Sequence, residues 1–160
     1  MTATVTPITL PRFAEHFEAP LPRGLREEVA DMDWTNVIAS HSPANGPVRL
    51  RQWECTDAQR PASRLGPQPR HYRATIAVGD RISTSSATGS GPVAALTEML
   101  HTRGIPVELL RFHQLDSEAG VTTFVRGSDG AHAEWAMGVA ADATESALSA
   151  VVACVNRLAG

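Results

Sequence analysis

Residues 70–104 read RHYRATIAVGDRISTSSATGSGPVAALTEMLHTRG and contain two strands followed by a helix. Apolar residues alternate with polar ones from Arg70 to Val78, which is typical of a half-buried strand. The pair Gly79-Asp80 predicts a tight turn into a second strand, Arg81 to Ser86. The loop Gly89-Ser-Gly-Pro92 then opens a helix, because proline suits the first helical position. The glycine that closes the quoted stretch is suited to a left-handed helix cap.

This order of elements occurs twice in the chain. In the first unit, Val48 to Thr56 adds a strand before the quoted stretch. In the second unit, three strands are predicted at Val107 to Leu115, Val121 to Arg126 and Ala131 to Val139, and a helix follows from Ala143. We therefore predict an α+β fold of two βββα units with helices packed on the sheets. The closing helix carries apolar residues at spacings of three and four, namely Leu148, Val151, Val152, Val155 and Leu158.

The first third of the chain has a different character. Met1 to Pro11 is predicted to be a loose tail, and Arg12 to Phe17 a short helical fragment that ends before a proline-rich stretch. Gly24 to Trp34 has apolar residues at helical spacing, whereas Asn36 to Pro47 has the composition of a loop. We predict a tail and short helical connector over residues 1–46.

The remaining residues, 47–160, are predicted to form one domain whose repeat units cover about 47–104 and 105–160. Within the first unit, Asp57 to Pro69 contains three prolines and a glycine, so an exposed and mobile loop is expected there.

Composition excludes several classes of function. The net charge is -3 and the pI is near 6.0, so nothing favours a polyanionic partner and nucleic-acid binding is not expected. No stretch approaches the roughly 18 apolar residues of a membrane span, and the N-terminus lacks the pattern of a signal peptide. We expect a cytoplasmic protein without membrane contact.

Residue types with metal or catalytic chemistry do not cluster in the sequence. The six histidines are scattered, and Cys55 and Cys154 lie far apart, so the cysteines are expected to be ordinary buried thiols. The glycines at 89 and 91 lack the third glycine of a dinucleotide-binding motif. We therefore predict no metal and no cofactor, and no catalytic residue can be named.

One loop does suggest a ligand. Gly89-Ser-Gly-Pro92 combines flexible backbone with a helix N-terminus, whose free N–H groups can bind an anion such as a carboxylate. A simple connection between strand and helix explains the same residues equally well.

Four motifs, in the same order, resemble one known family. Gly89-Ser-Gly-Pro-Val-Ala-Ala95 and Val107-Glu-Leu-Leu-Arg-Phe112 are similar to the C-terminal regulatory domain of 2-isopropylmalate synthase, which binds leucine and dimerises. Trp135-Ala-Met-Gly-Val-Ala140 with the helix after it resembles that family's last strand and helix, particularly in actinobacterial members. Phe13-Ala-Glu-His-Phe17 resembles the segment that joins the family's catalytic part to this domain.

The resemblance implies two βββα units around a pseudo-twofold axis and a homodimer whose chains together form a pocket for a branched-chain amino acid. The family usually has Asp-Tyr where this chain has Arg111-Phe112, which replaces an acid by a base and removes a phenol hydroxyl. Transferred by position, the effector-binding residues are Gly89, Gly91, Val93, Ala94, Leu109, Phe112 and Ala143.

Three functions remain open at this point. The first is a regulatory module for a small carboxylate or branched-chain amino acid that acts on a separate catalytic chain or is expressed as a fragment of one, because these residues leave no room for a catalytic barrel of about 250 residues. The second is a repurposed small enzyme or binding protein of secondary metabolism, and the third is a dimerisation module without a ligand. The second would draw on polar residues near the pocket, namely Arg111, His113, Glu134 and Asp142.

Overall fold

The computed structural model describes residues 10–43, 46–57 and 69–160. The predicted tail Met1 to Pro11 and the predicted loop Asp57 to Pro69 lie almost entirely outside the described residues.

The described residues form an α+β fold with two βββα units after a helical connector, as the sequence predicts. Strand β3 continues three residues beyond its predicted end, up to the glycine loop. The elements are a 3₁₀ turn Phe13–His16, α1 Arg23–Glu28, α2 Trp34–His41, β1 Val48–Cys55, β2 Arg70–Val78, β3 Arg81–Gly89, α3 Pro92–Thr102, β4 Glu108–Ser117, β5 Gly120–Ser128, β6 Ala133–Ala140 and α4 Ala143–Ala159.

Each unit contributes one antiparallel sheet, with strand orders β1-β2-β3 and β4-β5-β6. Both sheets have a bulge at the same place in their first strand. The register shifts between Leu50 and Gln52 in β1 and between Leu109 and Arg111 in β4. A bulge is a specific local feature, so its repetition supports an internal repeat beyond the order of the elements.

Helix α4 packs against both sheets. Its residues Leu148, Val151 and Val155 belong to the core cluster that α3 forms on the first sheet. Its opposite side lies directly on β6, where a Cβ added to Gly138 would be 2.4 Å from the Ser146 carbonyl oxygen. Only glycine fits there. Cys154 is buried on this side, and burial raises the pKa of its thiol to about 11.

The connector covers the other face of the second sheet. Phe13 is fully buried and packs with Phe17, Trp34 and Phe124, with ring centroids 5.2 to 6.1 Å apart. The connector is therefore part of the hydrophobic core of this sheet.

Helix α2 contradicts the prediction that Asn36 begins a loop. The Asp33 carboxylate accepts a hydrogen bond from the Asn36 N–H at 2.9 Å and caps the helix. Val37 and His41 are buried one turn apart. Burial lowers the pKa of His41, and the nearby charge of Arg157 lowers it further.

A buried polar side chain also links the two units. Asn156 of α4 accepts a hydrogen bond from the Val48 N–H and donates one to the Val48 carbonyl, both at 2.9 Å. An added Cβ on Gly46 would lie 2.4 Å from the Asn156 side chain, so the chain leading into β1 is also shaped around this amide.

We expect Asn156→Ala to lower the free energy of unfolding by about 2–4 kcal/mol, because the N–H and the carbonyl of the buried Val48 both lose their partner. Urea denaturation measures this effect. Ser149→Ala, at an exposed position on the same helix, is the control and should cost little. Equal losses in the two variants would contradict a structural role for the amide.

Candidate functional site

The predicted glycine loop lies between β3 and the first turn of α3. Gly89 ends β3, and a Cβ added to it would be 3.0 Å from the Ala95 amide nitrogen. Gly91 is the N-cap of α3 and has extended backbone with φ -167°, and an added Cβ would meet nothing within 4 Å. Close packing therefore favours glycine at position 89, while position 91 leaves the start of the helix open.

Helix α3 begins without a side-chain cap, whereas α4 has one. The Asp142 carboxylate accepts a hydrogen bond from the Thr144 N–H at 2.8 Å, but no side chain in the described ranges caps α3. The N–H groups of Val93 and Ala94 are therefore available at the start of α3, next to the positive end of the helix dipole.

Strand β4 holds the predicted apolar residues. Leu109 is half-buried and packs, like Val93, against the core cluster of the first sheet. Phe112 exposes 44% of its surface and Leu110 exposes 40%. In the single chain, the apolar side of the predicted site is therefore open to solvent.

The last predicted residue, Ala143, lies at the start of α4 and is linked to β4. Gln114 donates one hydrogen bond from Nε2 to the Ala143 carbonyl oxygen at 2.9 Å and one to the Thr123 hydroxyl at 3.0 Å. Of the predicted residues, Val93 and Leu109 thus pack against the same core cluster of the first sheet. Ala143 is linked to β4 at Gln114, two residues beyond Phe112.

The polar residues considered for a repurposed site have different surroundings from one another. His113 pairs across the sheet with Phe124, which faces the connector, and Arg111 lies on that same face of β4. Glu134 is 3.5 Å from Arg157, and Asp142 caps α4. These side chains do not converge on one point.

No group of three His, Cys, Asp or Glu side chains within the described ranges is arranged to hold a metal ion. Among the helices described, none is long and apolar enough to cross a membrane.

A groove of about 830 Å³ lies between β1 and α4, and its lining includes Asp142 but none of the seven predicted effector-binding residues. Its apolar lining includes Leu50, Trp53 and Val152, and Glu145 of α4 also borders it. The sequence contained one signal for it, because Leu50 and Trp53 have the same spacing in β1 as Leu109 and Phe112 in β4.

Residues 28–159 match the family model of the LeuA allosteric (dimerisation) domain. The chain belongs to this family. The resemblance read from the sequence motifs is confirmed, and the match includes α2 as well as both βββα units of this LeuA allosteric domain.

Curated relatives of this LeuA allosteric domain are 2-isopropylmalate synthases. The enzyme of Leifsonia xyli subsp. xyli is 32% identical over 87 residues, which are 52% of this chain and 15% of the relative. The enzyme of Renibacterium salmoninarum is 36% identical over 76 residues, which are 45% of this chain and 13% of the relative. The enzyme of Mycobacterium leprae is 32% identical over 88 residues, which are 52% of this chain and 14% of the relative. The matched segment thus spans about one seventh of each relative.

We expect Gly89→Ala to lower the free energy of unfolding by about 1–3 kcal/mol, because its Cβ must displace the backbone at Ala95. Gly91→Ser should have no such cost, since the position is open and serine is a good N-cap. Urea denaturation of the two variants checks the difference. If both variants lose the same stability, the close approach at Gly89 does not constrain the loop.

Proposed function

We propose that this domain is a regulatory module that binds a branched-chain amino acid or a similar small carboxylate at the start of α3, and that it works as a homodimer. The observation that carries the proposal is the uncapped N-terminus of α3, with an open Gly91, in a helix whose Val93 packs against the same core cluster as Leu109 of β4.

The carboxylate of the ligand is expected at the first turn of α3. The N–H groups of Val93 and Ala94 have no side-chain acceptor among the described residues, and the helix dipole favours a negative charge there. The absence of a side chain at Gly91 lets the ligand approach the backbone.

The apolar part of the ligand is expected against Val93, Leu109 and Phe112. Burial of the exposed part of Phe112 adds favourable free energy in proportion to the apolar area removed from water. Phenylalanine has no hydroxyl, and Arg111 lies on the opposite face of β4. The surface formed by Val93, Leu109 and Phe112 therefore offers the ligand apolar contacts alone. We therefore expect selection by side-chain shape, which separates ligands that differ by one methylene by roughly 10–200-fold.

A second copy of the chain is proposed to cover β4. This strand is at the edge of its sheet and exposes Leu110 and Phe112. Apolar residues on an unpaired strand are suited to an interface between chains. A partner at β4 would also enclose the open side of the ligand site, so one surface would serve both dimerisation and ligand binding.

Calorimetry with leucine, isoleucine, valine and short 2-keto acids tests the ligand. We expect binding to the unmodified domain and its loss in Gly91→Val, which covers the loop N–H groups, and in Ala94→Asp, which places a negative charge where the carboxylate lies. Ala131→Asp, in the remote β5–β6 turn, carries the same charge and should bind normally. No binding of any of these ligands at millimolar concentration would reject the amino-acid sensor and favour the repurposed domain.

Sedimentation at micromolar concentration tests the homodimer. We expect dimers, and we expect Leu110→Asp to shift the population to monomers because it buries a charge in the interface. Ile82→Asp places the same charge at another exposed apolar residue, on β3, and is the matched control. Monomers of the unmodified domain, or dissociation by Ile82→Asp instead of Leu110→Asp, would contradict an interface at β4.

A further inference from the structure

The groove between β1 and α4 corresponds to the proposed effector site when the two βββα units are aligned with each other. The matching bulges align β1 with β4, so Leu50 corresponds to Leu109 and Trp53 corresponds to Phe112. Both members of each pair lie on the side of the strand that faces the helices.

The starts of the two helices align in the same way. Gly91 and Asp142 are the N-caps, and their carbonyls accept equivalent hydrogen bonds from Ala95 and Ser146. Six of the seven predicted effector residues thus have counterparts that all line the groove. These counterparts are Ala140 for Gly89, Asp142 for Gly91, Thr144 for Val93, Glu145 for Ala94, Leu50 for Leu109 and Trp53 for Phe112.

We propose that this groove is a second ligand site, which takes a zwitterionic molecule with an apolar side chain. Its volume of about 830 Å³ lies within the range of roughly 300–1,000 Å³ that is usual for small-molecule sites. The apolar lining of the groove includes Leu148, Val152 and Trp53. The Trp53 ring is held in place by Tyr72, with centroids 5.4 Å apart.

The charges of the groove select both ends of such a molecule. Asp142 and Glu145 add two carboxylates at the start of α4, so this helix end attracts an ammonium group, whereas the uncapped α3 attracts an anion. On the strand side, Arg49 donates to the carbonyl oxygens of Gly46 and Gly79. Arg51, the extra residue of the bulge, is exposed and is the arginine that can turn to the ligand's carboxylate.

This site shares no residue with the predicted effector site and requires no ligand at α3, so the two proposals are tested separately. The probes are L-leucine, 3-methylbutylamine and 4-methylpentanoate, which have similar apolar chains. L-leucine carries both an ammonium and a carboxylate group, 3-methylbutylamine carries only the ammonium group, and 4-methylpentanoate carries only the carboxylate. Trp53 fluorescence reports on the groove, since Trp34 and Trp135 lie in the connector cluster. Equilibrium dialysis counts the ligands bound per chain.

We expect L-leucine to change the fluorescence of Trp53, with a response that Trp53→Phe removes, and to bind more tightly than either singly charged probe. Glu145→Gln and Arg51→Gln, both at exposed positions, should each weaken this binding about fivefold. Phe112→Ala is the matched control at the counterpart position and should leave the response unchanged.

The variants separate failure of this site from failure of the effector site. Loss of leucine binding in Phe112→Ala alone, with no effect of Glu145→Gln, would overturn the second site and support the first. Loss of leucine binding in Glu145→Gln, with no effect of Phe112→Ala, would support the second site alone. The absence of a Trp53 response up to tens of millimolar L-leucine would overturn the proposal, as would equal binding of the amine and L-leucine.

Discussion

The structure depends on α4 packing closely against two sheets at once. On one side its backbone lies so near β6 that Gly138 leaves no space for a side chain. On the other side Leu148, Val151 and Val155 complete the core of the first sheet, and Asn156 bonds to the start of β1. Because α4 belongs to the second unit and also completes the core of the first sheet, the first unit cannot bury its apolar face fully without the second. The repeat is therefore expected to unfold as a single cooperative domain.

The two helix starts show how repeated geometry can acquire different chemistry. Both helices follow the third strand of their unit after the same short connection, and the carbonyls of both N-caps accept equivalent hydrogen bonds. Gly91 leaves one helix dipole uncompensated, while Asp142 and Glu145 place negative charge on the other. Two residue differences at equivalent positions thus give the two helix starts opposite charge, although both N-caps have extended backbone.

The sequence predicted those parts of the structure that depend on local patterns. Alternating residues located β2, and glycines placed the turn at Gly79 and the cap at Gly104, both of which have positive φ. Helix α2 was predicted to be a loop because its stability comes from the Asp33 cap and from packing on β6, which short-range periodicity does not contain. The β1–α4 groove was also missed, since its walls include residues as far apart as Val48 and Asn156, 108 positions along the chain.

The Asn156 amide also determines how β1 can meet another polypeptide. A strand at the edge of a sheet normally offers N–H and carbonyl groups to any extended chain that approaches it. At Val48 both groups are already bonded to a side chain of the same molecule. Another strand cannot extend the first sheet across this residue without displacing Asn156 from its buried position. The amide thus protects the start of β1 from strand addition, a common first step in sheet-to-sheet aggregation.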